Sequence, residues 1–273
     1  MDIPIILTAF GTTSKAAATY QYIDTAVKSH YCSHEIHWAY SSRLVRHLRR
    51  KKGRVDVNHT HEVLAALRQK GHQWAVVQSL HLFCGHEFYR MIGETDVPDI
   101  RSSIGLPLLC SLRDHIDVIR AMSPVVGDDP EEAVILVSHG TDHPAWTANT
   151  AFHHLLQERH DKRVFSGVVE GGYPGLPDIL PEIGRKGFKK VRLVPFMLVA
   201  GVHFEEDIMG TGDSWRTAFE SEGITVSYEP TGLGMNPGVM EVFFRHIESA
   251  LDVIPSSTPV CSDAYAERHL KTL

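Results

Sequence analysis

An internal repeat limits the folds that are open to this chain. The segment KGHQWAVVQSLHLFCGHEF at 70–88 matches KGFKKVRLVPFMLVAGVHF at 186–204 without a gap, and LTAFGTT at 7–13 matches LVSHGTD at 136–142. Both longer copies contain Lys-Gly, an apolar run, and then a Gly and an aromatic residue. A chain that repeats a strand-centred unit in its two halves is expected to build two similar lobes.

Short apolar runs alternate with longer, helix-compatible segments along the whole chain. The predicted strands are 3–10, 34–41, 74–82, 103–109, 133–138, 163–169, 190–199 and 224–229. The predicted helices include 59–70, 111–122, 145–160 and 236–251. This alternation indicates parallel sheets with helices on both faces. We therefore expect an α/β fold of two similar doubly wound parallel-sheet lobes around a central cleft.

The stretch SPVVGDDPEE at 123–132 is acidic and contains proline, so it is the expected crossover between the lobes. The predicted domains are an N-terminal α/β lobe over 1–125 and a C-terminal α/β lobe over 126–273, which carries most of the catalytic residues. The residues after Ile254 are expected to form a loose extension of the second lobe.

Composition excludes several classes of protein. A net charge of −6 and a pI near 6.3 argue against a nucleic-acid binder, which normally has a basic domain. No window approaches the roughly 18 apolar residues of a membrane helix, and the start MDIPII has no positive charge before its apolar run. We therefore expect a cytoplasmic protein that contacts neither nucleic acid nor membrane. That the protein can form a homo-oligomer is a separate expectation.

The four cysteines form no CxxC pair, which favours free thiols in a reducing compartment. No GxGxxG or GKS/GKT loop is present, so no organic cofactor is predicted. The basic run RLVRHLRRKKGR at 43–54 has two readings. It is either a solvated helix face or a surface on which Arg43 and Arg46 receive an anionic substrate.

Overlaying the two copies places polar residues at the ends of predicted strands. His139 takes the place of Phe10, and His203 takes the place of Glu87. Glu170, which closes VFSGVVE, is a third such residue. Doubly wound sheets bind ligands beyond the carboxyl ends of their strands, so we expect these groups to meet in one crevice.

Two imidazoles with carboxylates and no thiolate suit Co²⁺, Fe²⁺, Ni²⁺ or Zn²⁺, and the same groups can move protons. The alternative for His139 is a strand-end histidine that bonds to backbone. For Glu87 the alternative is that the adjacent His86 faces the metal instead.

Four motifs read together resemble a known family: SHG at 138–140, the VE that precedes GGYP, LVAGVHFEEDI (LVAGxHxxxDI), and GDSW at 212–215. They are similar to those of the CbiK-type sirohydrochlorin chelatases, the anaerobic cobaltochelatases of corrin biosynthesis. These are class II chelatases related to ferrochelatase. The likeness runs from IILTAFGT at 5–12 through QSLHLFCGHEFYRMI at 78–92 to GLGMNP at 232–237.

The resemblance implies that His139 and His203 are the catalytic, metal-binding pair, with Glu170 and Glu87 as acidic partners in the cleft. The implied reaction is insertion of Co²⁺, a substrate, into sirohydrochlorin with release of two protons. That tetrapyrrole carries many carboxylates, so an acidic protein needs local groups to receive them. Backbone N–H groups of the turns at Gly11, Thr12 and Gly140, together with Arg43 and Arg46, are the candidates.

Two alternatives to cobalt insertion remain open. The same fold can insert Fe²⁺ and make sirohaem, or the protein can be a non-catalytic carrier of metal or tetrapyrrole. A metal-dependent hydrolase is less favoured because the sequence has no HExxH motif.

Overall fold

Two four-stranded parallel sheets form the centre of the protein. The computed structural model describes residues 2–11, 17–41, 58–160 and 162–255. The first sheet has the order β2-β1-β3-β4 and the second the order β6-β5-β7-β8. The strands are β1 (Ile5–Ala9), β2 (Ile36–Tyr40), β3 (Trp74–Ser79), β4 (Arg101–Gly105), β5 (Glu132–Ser138), β6 (Val164–Val168), β7 (Lys190–Pro195) and β8 (Thr225–Tyr228). The two halves therefore repeat one topology, which confirms the predicted α/β fold of two similar lobes.

Helices connect the strands in both halves. They are α1 (Ala17–His30), α2 (Thr60–Gln69), α3 (His86–Gly93), α4 (Leu112–Val126), α5 (Trp146–Arg159), α6 (Leu176–Lys186), α7 (Trp215–Ser221) and α8 (Pro237–Asp252). A π-helical turn spans Phe204–Ile208 and a 3₁₀ turn spans Leu233–Met235. No helix within these described ranges is both long and apolar enough to cross a membrane.

Side-chain caps explain where two of these helices begin. The Ser111 hydroxyl accepts a hydrogen bond from the Asp114 N–H at 3.1 Å, and α4 starts at the next residue. The Asn236 side chain accepts from the N–H of Gly238 at 2.9 Å, at the start of α8. Such caps satisfy N–H groups that have no partner inside the helix.

The predicted crossover at 123–132 is partly wrong, because α4 continues through Val126. The helix ends at Gly127, whose φ of 61° lies in the left-handed region that glycine favours. Only the few residues from Gly127 to Glu131 connect α4 to β5.

The strand predicted over 190–199 is also too long, since β7 ends at Pro195. Phe196 N–H still donates to the Val137 carbonyl at 2.7 Å. Beyond it, the carbonyls of Met197 and Leu198 accept from the N–H groups of Leu233 and Gly234 at 2.8 and 2.9 Å. The backbone thus bonds to the 3₁₀ turn instead of continuing the ladder with β8. His203 was predicted to end this strand. Instead it lies beyond the strand and directly precedes the π-helical turn.

The last helix, α8, packs against the first sheet rather than the second. The Ser103 hydroxyl of β4 donates to the Ala250 carbonyl at 2.6 Å, and the Tyr31 hydroxyl donates to the Phe244 carbonyl at 2.9 Å. Asp114 of α4 accepts from Arg245 at 2.6 Å and from His246 at 3.1 Å, so α4 and α8 are joined by buried charges. The domain boundary after residue 125 stays a prediction, and this packing shows that the chain returns to its first lobe.

Candidate metal and catalytic site

Three neighbouring strands of the second sheet position the three side chains of the site. His139 directly follows β5, Glu170 lies two residues beyond β6, and His203 follows the bend after β7. Because β6, β5 and β7 are adjacent and parallel, their carboxyl ends meet at one edge of the sheet. This is the edge at which doubly wound sheets bind ligands.

The three side chains converge on one point. His139 Nε2 lies 3.1 Å from His203 Nε2 and 3.2 Å from Glu170 Oε1. The two rings are nearly perpendicular, with an interplanar angle of 88°. Among the residues that the structure describes, these three form a group whose ligand atoms lie within 4.8 Å of one another, as a bound metal ion requires. Two imidazole nitrogens and one carboxylate suit a borderline divalent ion.

The side chain of Asp207 fixes the orientation of the His203 ring. Its Oδ2 lies 2.7 Å from His203 Nδ1, and because a carboxylate only accepts, the ring nitrogen donates. The proton therefore stays on Nδ1, and the lone pair of Nε2 points toward His139. His139 Nδ1 lies 3.3 Å from the Gly140 carbonyl oxygen, which accepts from it. The Nε2 atom of His139 is therefore also the ring nitrogen that faces the site. Carboxylate partners of this kind fix the tautomer and the ring orientation of a ligating histidine.

Gly140 allows the loops after β5 and β6 to touch. Its φ is 94°, and a Cβ at this position would overlap the carbonyl oxygen of Glu170. The Glu170 N–H donates to the His139 carbonyl at 2.9 Å, which continues the ladder between the two loops. The backbone thus holds the carboxylate of Glu170 next to the imidazole of His139.

The site is open to solvent. The side chains of His139, Glu170 and His203 are 47%, 63% and 44% exposed. A cavity of about 660 Å³ adjoins it and is lined by Asp207, Trp215 and other residues of the second lobe. An incomplete, accessible ligand shell leaves room for exchange of the metal and for a second reactant.

Glu87 and His86 lie in the first turn of α3, outside this group of three. Glu87 Oε1 accepts from Arg90 at 2.6 Å, whereas its Oε2 is buried without a hydrogen-bond partner among the described residues. His86 Nε2 donates to Asp142 Oδ1 at 2.9 Å, which links the first lobe to the second. Both are held by other partners here, and whether either one faces the metal stays a prediction.

The remaining predicted site residues have different outcomes. Thr12, Arg43 and Arg46 lie outside the described residues. The Gly11 N–H donates to the Tyr20 hydroxyl at 3.1 Å, so that amide already has a partner.

No distinct role was predicted for Asp207 from the sequence, although its spacing of four residues from His203 was a usable signal. Tyr89 was not singled out either, and His143 was interpreted as a structural or rim histidine. The rings of Tyr89 and His143 lie 5.4 Å apart, next to the contact of His86 with Asp142.

The fold and the site together define a two-lobed α/β protein with an open histidine–carboxylate cluster of a kind that can hold a divalent metal ion. The chain belongs to the cobalt chelatase (CbiK) family, whose family model matches residues 4–252.

Among its relatives, the sirohydrochlorin cobaltochelatase of Salmonella typhimurium is 31% identical over 219 residues, 78% of this chain and 81% of the relative. The sirohydrochlorin cobaltochelatase CbiKC of Nitratidesulfovibrio vulgaris is 30% identical over 268 residues, 92% of this chain and 91% of the relative. The structure of SirB from Bacillus subtilis with Fe³⁺ shares the fold, with a TM-score of 0.65 and 16% identity over 92% of this chain and 96% of that one.

Proposed function

We propose that the protein is a sirohydrochlorin cobaltochelatase, which inserts Co²⁺ into sirohydrochlorin and releases two protons. Its family membership and the printed activity of its two relatives support this function. The observation that carries it is the convergence of His139 Nε2, His203 Nε2 and Glu170 Oε1 within about hydrogen-bond distance on an exposed surface. Such a site can bind an ion and also release it to a second molecule.

The chemistry requires one group of residues to do two tasks. The metal must be presented to one face of the macrocycle, and two pyrrole N–H groups must lose their protons. We propose that His139 and His203 hold Co²⁺ through Nε2 and accept the pyrrole protons as the ion leaves. Glu170 stabilises the positive charge that develops on the imidazoles, and Asp207 does the same for the ring of His203.

Glu87 is proposed as the acidic partner from the first lobe. Its position supports this role, because it lies eight residues after the end of β3, as His203 lies eight residues after the end of β7. Its buried Oε2 has no hydrogen-bond partner among the described residues, so this oxygen would lose no hydrogen bond on turning toward an ion. In this proposal the carboxylate meets the metal when the substrate occupies the cleft.

The carboxylates of the substrate are proposed to contact the turn at Gly140 and the residues Thr12, Arg43 and Arg46, whereas the Gly11 amide is already bonded to Tyr20. Arginine suits this task because its guanidinium binds a carboxylate through two hydrogen bonds.

Location in the cytoplasm and self-association into a homo-oligomer also stay predictions.

A chelation assay tests the proposed function. Sirohydrochlorin and the protein are mixed with Co²⁺, Fe²⁺, Ni²⁺ or Zn²⁺, and the change in the absorption spectrum of the tetrapyrrole is followed. We expect many turnovers per protein molecule, with Co²⁺ among the metals inserted. Stoichiometric binding without turnover would indicate a carrier. Turnover with Fe²⁺ but not Co²⁺ would indicate synthesis of sirohaem.

A further inference from the structure

Two cysteines meet in the first lobe at a place that the proposed chemistry does not use. Cys84 lies in the loop between β3 and α3, and Cys110 lies in the loop between β4 and α4. Their sulfur atoms are 3.4 Å apart, and both thiols are free and partly buried. The pair could not be predicted from the sequence, because the two residues are separated by 26 positions.

The backbone around the two thiols is already held together. The N–H groups of Leu108 and Leu109 donate to the carbonyls of His81 and Leu82, each at 2.9 Å. These bonds continue the pairing of β3 with β4 into the loops that follow the strands. A disulfide has an S–S distance of about 2.05 Å, so the sulfurs reach it by a small movement of the side chains.

The two thiols have different reactivities. The hydrogen bond from the Cys110 thiol lowers the pKa of Cys84 to about 7. The same hydrogen bond, together with burial, raises the pKa of Cys110 above its usual range. Because the thiolate is the nucleophile, Cys84 is the attacking sulfur and Cys110 the resolving one.

We propose that Cys84 and Cys110 are a modification site, a dithiol that a small organic disulfide such as oxidised glutathione converts reversibly to an intramolecular disulfide. The Cys84 thiolate attacks one sulfur of the reagent, forms a mixed disulfide and expels one thiolate. The Cys110 sulfur then attacks the Cys84 sulfur, forms the protein disulfide and expels the second thiolate. The protons of the two cysteine thiols end on the two released thiols. The protein loses two electrons, and the reagent gains them.

The disulfide would connect the loops that lead into α3 and α4. Gly85 follows Cys84, and His86 then contacts Asp142 of the second lobe at 2.9 Å. The cross-link therefore restrains the segment that carries this contact between the lobes. A covalent link across 26 positions also limits the unfolded chain, so the oxidised protein is expected to unfold at a higher denaturant concentration than the reduced protein.

The test uses the full chain without metal or tetrapyrrole. The reduced protein is incubated with oxidised glutathione, denatured, and titrated for thiols, and its disulfide is located by peptide mass mapping. We expect the thiol count to fall from the four cysteines of the sequence to two, with a link between Cys84 and Cys110 that dithiothreitol reverses. The denaturation midpoint should rise on oxidation.

Single variants assign the two steps. In Cys110→Ser, glutathione should remain on Cys84 as a mixed disulfide. In Cys84→Ser, the intramolecular link should be absent. Cys32→Ser is the matched control, since Cys32 is exposed and is not one of the two paired thiols, and this variant should form the link between Cys84 and Cys110 as the wild type does. Persistence of four thiols, a link through Cys32 or Cys261, or a lowered denaturation midpoint would overturn the proposal. None of these readouts depends on chelation. If the proposed chelatase function failed its test, the proposal of a disulfide between Cys84 and Cys110 would therefore still stand.

Discussion

The three consecutive acids after Phe204 have different surroundings. Asp207 lies against the His203 ring, whereas Glu205 and Glu206 are exposed. All three lie in a helical turn, where negative charge near the N-terminus is favourable. Only the residue four positions after His203 reaches the imidazole, because that spacing places two side chains on one face of a turn.

Replacing His203 with alanine should lower the rate of cobalt insertion by about 10²-fold or more, the typical loss for a general base. The variant should remain folded, because the half-exposed ring contributes little to the core. Initial rates of chelation and circular dichroism measure the two effects. Glu205→Ala is the matched control, and we expect it to keep most of the activity. Wild-type chelation by His203→Ala would contradict the catalytic role of this histidine.

Replacing Asp207 with asparagine should weaken cobalt binding and chelation by about 10- to 100-fold, the usual effect of losing a carboxylate behind a ligating histidine. Asparagine lacks the charged acceptor that holds the ring at Nδ1, so the affinity for cobalt, measured by titration, should fall together with the chelation rate. Glu206→Gln, which alters an exposed neighbour, is the matched control, and a wild-type cobalt affinity in Asp207→Asn would refute the positioning role.

At the scale of elements, the loops after β5 and β6 form the site only because they touch. Gly140→Ala should separate His139 from Glu170, since the added Cβ would overlap the Glu170 carbonyl and the φ of 94° is unfavourable for alanine. We expect weaker cobalt binding by titration and a lower free energy of unfolding.

The matched control for this glycine is Gly184→Ala in α6, where nothing lies within 4 Å of an added Cβ. That change should raise the free energy of unfolding by about 0.5–1 kcal/mol, because alanine favours the helix. If Gly140→Ala binds cobalt as the wild type does, the contact between the two loops is not required.

For the whole molecule, the close packing around the partly buried ring of His81 predicts how stability depends on pH. Desolvation disfavours the charged ring and lowers its pKa from 6.5 to about 4. Between these values the unfolded chain binds a proton that the folded protein does not, so the free energy of unfolding falls as the pH falls from 6.5 toward 4. The contribution of this residue over that interval is at most about 3 kcal/mol.

Urea denaturation at pH 7 and pH 5 measures this dependence. The loss of stability at the lower pH should be smaller in His81→Asn than in the wild type. In His154→Asn, which replaces an exposed histidine, the loss of stability from pH 7 to pH 5 should equal that of the wild type. An equal loss in His81→Asn and the wild type would show that this ring does not control the acid sensitivity.

Much of the architecture could be predicted from the sequence, because apolar runs and the repeat of 70–88 in 186–204 depend on local pattern. The end of β7 could not, since the carbonyls of Met197 and Leu198 bond to N–H groups more than thirty residues later. Nor could the packing of α8 on the first sheet, which depends on contacts such as Ser103 with Ala250. Periodicity describes an element's own face and carries no information about which distant surface covers it.

The two lobes of parallel strands could be predicted from the sequence alone, and so could the residue types of the candidate site, His139, Glu170 and His203. These follow from side-chain period and from the chemistry of imidazole and carboxylate, both of which are local properties. Tertiary packing brings the two Nε2 atoms to 3.1 Å, places Asp207 against one ring and brings Cys84 to Cys110, and none of these contacts follows from local pattern. Distances between groups far apart in the chain are set by the packing of the strands and loops that carry them.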